Sequence, residues 1–256
     1  MTQGSQSSPT PPKIPYPGSL TDEEIDALGP IRLGDITKEM IERITEYKPM
    51  NIDLYVTAFT HKSADPVDNY ERLEFLGDSV INFTTAKFLF EKYPKEPEGF
   101  LTIMRTRLTC TVMLWEFSKK LFLDHYIMMA GREMYIGVHR TKKIMEDVFE
   151  ALVGAIYLDQ GILKARQFIL RMFDTFVDWD DIQKNRNYKD QLMRVQHQLK
   201  HSLPEYTSVR DDTEAIFTAT ASIPGVQGIG KGRTKREAEQ RAARTILEQL
   251  NIPIDY

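Results

Sequence analysis

The chain has 256 residues, 41% hydrophobic and 27% charged, with a net charge of −4 and one cysteine, Cys110, which allows one large or two smaller domains with packed cores. The lone cysteine excludes an intrachain disulfide and a cysteine zinc cluster, and it favours a reducing compartment. No uninterrupted apolar run of about 18 residues is present, so no membrane span is expected, and the N-terminus lacks a charged-then-apolar signal pattern; an intracellular protein is expected, in cytoplasm or nucleus.

Residues 1–19 are rich in Ser, Pro, Thr and Gln, with Lys13 the one charge. That composition predicts a disordered tail. From about 21 to 177 the pattern is helical, with little strand-like alternation, and predicts an all-α domain over residues 20–178. Residues 36–44 carry apolar side chains at helical spacing. Residues 71–80 then place Glu71, Glu74 and Asp78 within eight positions, separated mostly by large apolar side chains. At about 100° per residue these three carboxylates fall within roughly 60° of one another around a helix. Like charges on one stripe disfavour the helix unless something positive neutralises them, and a divalent cation such as magnesium or manganese would do so. A solvated acidic face would present the same spacing. Gly77, in mid-helix, costs about 1 kcal/mol relative to Ala, which is tolerated where another backbone packs close.

Helical spacing continues over 101–123, through Met104, Leu108, Val112, Trp115 and Leu121. A basic run, Arg140, Lys142 and Lys143, precedes a second acidic helix over 146–159. There Asp147 and Glu150 share a face, and Glu150 is the one charge between Val148 and Leu158. A carboxylate in so apolar a run is costly to bury unless it is paired or bound to metal; a boundary glutamate facing water is the alternative. Residues 162–177 repeat the helical pattern. The five histidines, His61, His125, His139, His197 and His201, show no metal-ligand spacing and are expected to be structural.

The polar stretch 179–187 predicts a linker. Beyond it a helix is expected from Tyr188 to about Lys200. β-type runs follow over 206–210 and 216–223, then a flexible glycine-rich basic loop over 225–233 and a helix from about Lys235 to Leu250. The order α-β-β-(β)-α over 188–252 predicts a small α+β domain of the α-β-β-β-α type. Thr234 and Glu237 fit a capping box, which would set Lys235 and Arg236 at a helix start that already favours phosphate. Between 231 and 244, six bases (Lys231, Arg233, Lys235, Arg236, Arg241, Arg244) face two acids, Glu237 and Glu239, a local asymmetry of the kind nucleic-acid binders show.

The 71–80 segment resembles the signature of the ribonuclease III family. Residues 147–152 are similar to that family's second acidic motif, and 58–63 (Ala-Phe-Thr-His-Lys-Ser) to its Ala-Leu-Thr-His-x-Ser segment. The C-terminal region, through residues 203–206 and the Arg233-Thr234-Lys235-Arg236-Glu237 string, resembles the double-stranded RNA-binding domain. The resemblance implies a divalent-metal-dependent endoribonuclease of double-stranded RNA, leaving 5′-phosphate and 3′-hydroxyl ends with short 3′ overhangs. It further implies a metal quartet of Glu74, Asp78, Asp147 and Glu150 holding Mg2+, with Mn2+ able to substitute, and a supporting Glu71. Lys143, one turn before Asp147, would lie near the scissile phosphate, unless it is simply a solvated lysine of its basic run. A homodimer is implied, with Phe75 inserting into the partner; core packing would explain Phe75 equally well. Lys231, Arg233, Lys235 and Arg236 would grip phosphates, with Gln191 and Arg194 as further contacts. Asp190, Met193 and Arg194 depart from that domain's pattern, as do the acids at 211–214, which should repel phosphate. The rival reading is a non-cleaving protein that sequesters double-stranded RNA on the same fold.

Overall fold

A computed structural model describes residues 19–179, 182, 188–211, 213 and 215–252. The tail expected over 1–19 apart from Ser19, the linker of 179–187 apart from Trp179 and Ile182, and Asp212 and Glu214 of the acidic stretch 211–214 lie outside these residues. The chain divides into two compact units between Val177 and Asp178.

Among the described residues the first unit holds nine α-helices, α1 (Asp22–Asp26), α2 (Lys38–Thr45), α3 (Ile52–Ala58), α4 (Glu71–Lys92), α5 (Glu98–Leu108), α6 (Thr111–Lys120), α7 (Gly131–Tyr135), α8 (Lys142–Gln160) and α9 (Ile162–Phe176). Local chemistry sets several ends. Thr37 caps α2 by accepting from the Met40 N–H, and Asn51 caps α3 by accepting from the Asp53 N–H, the pairing expected of N-cap side chains. Asn69 does the same for Glu71 at the start of α4. Gly161, at φ 81°, ends α8 and turns the chain into α9.

Helix α8 is the centre of the unit. It is apolar nearly all round, as a helix enclosed by others must be. Val148, Phe149, Leu152, Val153 and Ile156 are fully buried, packed among α3, α4, α6 and α9. Phe149 meets Phe117 of α6 at 5.6 Å and Phe168 of α9 at 5.9 Å between ring centroids, within the range favoured by aromatic pairs.

One expected helix is two. The periodicity over 101–123 predicts a single run, but α5 ends at Leu108 and α6 restarts at Thr111. The Thr109 hydroxyl donates to the Arg105 carbonyl at 3.1 Å, and Cys110 is extended, at φ −76° and ψ 155°. The break frees α6 to set Leu114, Phe117 and Ser118 in the core, where the Ser118 hydroxyl donates to the Met145 carbonyl at 2.6 Å. Tertiary packing overrides a pattern that is locally continuous.

The second unit comprises α10 (Tyr188–Gln198), β1 (Glu205–Asp211), β2 (Ile216–Ile223), β3 (Val226–Gly232) and α11 (Lys235–Gln249). The strands form one antiparallel sheet in the order β1-β2-β3, and Leu192, Ala219, Ala221, Ala242 and Ile246 lie in its core. The glycine-rich stretch expected to be a flexible loop is strand β3, reached by a turn at Gly225 with φ 81°. Its glycines recur at every second residue, the period of a strand, so Gly228, Gly230 and Gly232 all face α11. A Cβ at Gly230 would lie 2.3 Å from the Ala238 carbonyl oxygen, and one at Gly228 2.4 Å from that of Ala242. These glycines let a helix backbone rest directly on a strand. The expected capping box at α11 is half formed. Thr234 accepts from the Glu237 N–H, but the Glu237 carboxylate accepts from the Arg233 N–H at 2.9 Å.

Candidate active site

Two helices carry the acids, and two glycines bring those helices together. A Cβ at Gly77 of α4 would lie 1.7 Å from the Glu150 carbonyl oxygen, and one at Gly154 of α8 2.3 Å from that of Leu73. With no side chain at the crossing, the backbones touch. Glu74, one turn before Gly77, is thereby set against Asp147 and Glu150, two turns and one turn before Gly154. One carboxylate oxygen from each of Glu74, Asp147 and Glu150 lies within 4.8 Å of the others. Asp147 and Glu150 are 5% and 7% exposed, so the alternative of a boundary glutamate facing water does not describe Glu150.

An open cleft of about 480 Å³ is lined by Glu71, Glu74, Phe75, Asp78, Lys143, Glu146 and Glu150. Asp78 stands at this cleft, outside the tight trio, and its Oδ1 accepts from Asn82 Nδ2 at 2.7 Å. Glu71 is exposed and takes the Lys62 ammonium at 2.8 Å. Lys143 enters the trio: its Nζ lies 2.5 Å from Asp147 Oδ1, 3.6 Å from Glu74 Oε1 and 3.7 Å from Glu146 Oε2. It is more than a solvated lysine of a basic run.

The electrostatics follow from this crowding. Burial, then the charges of Asp78, Glu146 and Glu74, push the Glu150 carboxyl up to about 8, with Lys143 opposing. Burial and the Asp147 charge also raise Glu74. The close approach of the Asp147 carboxylate leads the causes that hold Lys143 above the ordinary lysine value. Like charges taken out of water resist ionising together, so the cleft favours an added cation. The donors are all carboxylate oxygens, the set suited to a hard divalent ion. Asp147 Oδ1 is buried and no donor is aligned on it, although the Lys143 ammonium is close. A spherical cation needs no such alignment, and the residues present fit a divalent metal.

Three residues of the site were not singled out by sequence reasoning. Glu146 lines the cleft; the available signal was its place one turn before Glu150. Tyr70 is 3% exposed and its hydroxyl reaches Asp147 Oδ2 at 3.5 Å. Lys62 holds Glu71. Lys62 lies in the 58–63 segment, and the Tyr70 N–H donates to its Thr60 carbonyl at 2.9 Å. There His61 Nδ1 accepts from the Ser63 N–H at 3.1 Å, and its ring packs 5.6 Å from that of Tyr70. Burial lowers the His61 pKa, which suits a neutral, structural imidazole. Phe75 is 77% exposed, so core packing does not account for it.

On the second unit Lys231, Arg233, Lys235 and Arg236 are all exposed, around the end of β3 and the start of α11. Neighbouring acids are partly committed elsewhere: Glu237 pairs with Arg241 at 2.6 Å, and Glu239 with Lys189 at 2.7 Å. Arg194 is exposed and held by Asp190 at 2.8 Å, and Gln191 is half-buried on the same helix. The sequence-predicted residues thus fall into two groups, the acids with Lys143 on the first unit and the bases on the second.

Residues 51–175 match the family described as Ribonuclease-III-like, and residues 188–250 match the double-stranded RNA binding motif. "Ribonuclease 3" of Legionella pneumophila is 38% identical over 84% of this chain and 98% of its own length. A Paramecium bursaria Chlorella virus 1 protein, "Putative protein A464R", is 32% identical over 86% of this chain and 82% of its own. Among solved structures, the nuclease domain of Campylobacter jejuni ribonuclease III, described for flexibility in a region involved in dimer formation, is 33% identical. It superposes with a TM-score of 0.53 over 55% of this chain and 99% of that one.

Proposed function

The chain belongs to the ribonuclease III family and is an endoribonuclease acting on double-stranded RNA, and from that premise we propose how its residues divide the work. Residues 20–178 are the nuclease domain and 188–252 the RNA-binding domain, joined by the linker 179–187. Glu74, Asp78, Asp147 and Glu150 hold Mg2+, for which Mn2+ can substitute. The products carry 5′-phosphates and 3′-hydroxyls with short 3′ overhangs. The observation that carries this reading is the convergence of Glu74, Asp147 and Glu150 to within 4.8 Å from two helices separated by about 50 intervening residues.

A bound divalent ion would supply an activated water and charge relief on the phosphoryl and leaving oxygens. The protein's own residues do the rest. Glu74, Asp147 and Glu150 fix the position of positive charge at the base of the cleft. Tyr70 steadies Asp147 from behind. Asp78, at the cleft, completes the ligand set by turning from Asn82. Glu71, anchored by Lys62, accepts hydrogen bonds from water or RNA at the mouth. Lys231, Arg233, Lys235 and Arg236 contact duplex phosphates, a mode that reads shape and salt rather than sequence; Gln191 and Arg194 add to them from α10.

One site cuts one strand, and cutting both strands of a duplex calls for a second copy. The exposed Phe75 supports a homodimer. So does a neighbouring cavity of about 440 Å³ lined by Leu54, Val67, Leu73, Leu76 and Leu158 among others. This cavity suits the partner subunit's Phe75.

The test is incubation of the purified protein with a long labelled duplex and with a single strand, each with magnesium and with chelator. Duplex cleavage only with magnesium is expected. Glu74→Gln should abolish it while duplex binding persists. Cleavage that survives chelation or this substitution would overturn the metal assignment, and binding without any cleavage would favour the sequestering protein.

A further inference from the structure

The cleft contains a cation of its own, the ammonium of Lys143. We propose that Lys143 is a tethered counter-ion: it holds the place beside Asp147 and Glu74 that a divalent ion takes, and binding of that ion releases it toward the RNA phosphate. The inference rests on the metal-site reading above and extends it to what the site does before the ion arrives.

The geometry makes the two cations exclusive. Lys143 Nζ lies 2.5 Å from Asp147 Oδ1. An ion ligated by that same oxygen at about 2.1 Å would lie within about 4.6 Å of the ammonium. It would also draw on Glu74, whose Oε1 is 3.6 Å from Nζ. Positive charges that close repel strongly in a partly buried site, so one must leave. The lysine is the one able to go. Its side chain is 66% exposed, against 8% for that of Asp147, so its stem can swing out at little cost in packing. It is also an imperfect occupant, since Asp147 Oδ1 is buried with no donor aligned on it.

The arrangement has a function in each state. Without the ion, the ammonium offsets part of the repulsion among Glu74, Glu146, Asp147 and Glu150 and keeps α4 and α8 in register. With the ion in place, that work is done by a stronger charge. The freed ammonium then stands at the cleft mouth with three donors, suited to a non-bridging phosphate oxygen. Ion binding and phosphate binding become linked through one side chain.

The whole 256-residue chain, without RNA, is titrated with Mn2+ by calorimetry as wild type, Lys143→Gln, Lys143→Arg and Glu74→Gln. Lys143→Gln should bind Mn2+ roughly tenfold more tightly, equivalent to about 1.4 kcal/mol, although it cleaves RNA more slowly. Lys143→Arg should stay close to wild type. Unchanged or weaker Mn2+ binding by Lys143→Gln overturns the proposal. If Glu74→Gln loses Mn2+ in that case, the metal-site reading stands without it. If no variant binds Mn2+ and cleavage proceeds under chelator, both fall. A second readout is independent of affinity. After reductive methylation with carbon-13, the lysine signal missing from Lys143→Arg should shift toward the free-lysine position on addition of Mg2+; a signal that does not move overturns the proposal.

Discussion

Replacing Gly77 with alanine tests whether the helix crossing creates the active site. The added Cβ would stand 1.7 Å from the Glu150 carbonyl oxygen and 3.0 Å from the Gly154 nitrogen. An ordinary carbon–oxygen contact is about 3.3 Å or more, so α4 and α8 must separate by about 1.5 Å. Neither atom met is the end of a flexible side chain; both are backbone in the centre of the core. Overpacking of this kind costs about 3 kcal/mol at the upper end of the usual range. The gain in helix propensity of Ala over Gly returns about 1 kcal/mol, leaving a net loss of about 2 kcal/mol. For a unit of this size that lowers Tm by roughly 4–8 °C. Activity should suffer more. Glu74 moves with α4 while Asp147 and Glu150 move with α8, and a misplacement of about 1 Å can cost on the order of a hundredfold in rate. Single-turnover duplex cleavage at saturating magnesium and a thermal melt measure the two effects. Gly99→Ala is the control, because a Cβ there meets nothing within 4 Å; it should leave cleavage unchanged and stability equal or slightly higher. Wild-type cleavage and Tm in Gly77→Ala would refute the close-contact argument.

Further outcomes follow from other parts of the molecule. Asp159 accepts from the Met50 N–H at 3.0 Å, the Asn51 N–H at 2.7 Å and the Tyr55 hydroxyl at 3.0 Å. Burial raises its carboxyl pKa, but hydrogen bonds from Gln160, Asn51, Met50 and Tyr55 outweigh it and hold the group below its ordinary value. A depressed native pKa gives stability that is full above the unfolded value of about 3.9 and is lost as pH falls through the native one. Asp159→Asn should therefore cost about 1–3 kcal/mol at neutral pH and show a flatter acid limb in Tm; equal slopes below about pH 4 would contradict the assignment. Gly230→Ala should lift α11 from the sheet, since its Cβ would meet Ala238 and Ala242 backbone at 2.3 Å; at least tenfold weaker duplex binding is expected, and a normal melt of the C-terminal unit would count against it. The double substitution of Lys235 and Arg236 by alanine should reduce the salt slope of duplex binding by about 0.9 for each phosphate left without its base, as read from affinities at several ionic strengths.

The chemistry of the site was legible in the sequence wherever it depended on spacing along one element. The pairing of Glu71, Glu74 and Asp78 on one stripe, the improbability of a solitary Glu150 in an apolar run, and the close approach hinted by Gly77 are all consequences of helical geometry and of the cost of burying charge. The same local rules gave the first helix, the first two strands and the last helix of the second unit, and the position of Thr234 at a helix start. They misread the glycine run before it. Glycine signals a flexible loop and a strand lying under a helix equally well, and only the presence of α11 over Gly228, Gly230 and Gly232 decides between them.

What tertiary structure alone decided were the relations between elements distant in sequence. Periodicity places an acid on a face; it does not say which face of which helix lies opposite. That Glu74 meets Asp147 and Glu150, that Lys143 reaches across to Glu74, and that the Tyr70 hydroxyl comes to Asp147 depend on how α4 and α8 cross. The exposure of Phe75 and the break at Cys110 have the same origin. Backbone and side-chain geometry fix what each segment can be, whereas burial against other segments selects among the possibilities, and burial is a property of the folded molecule rather than of any stretch of its sequence.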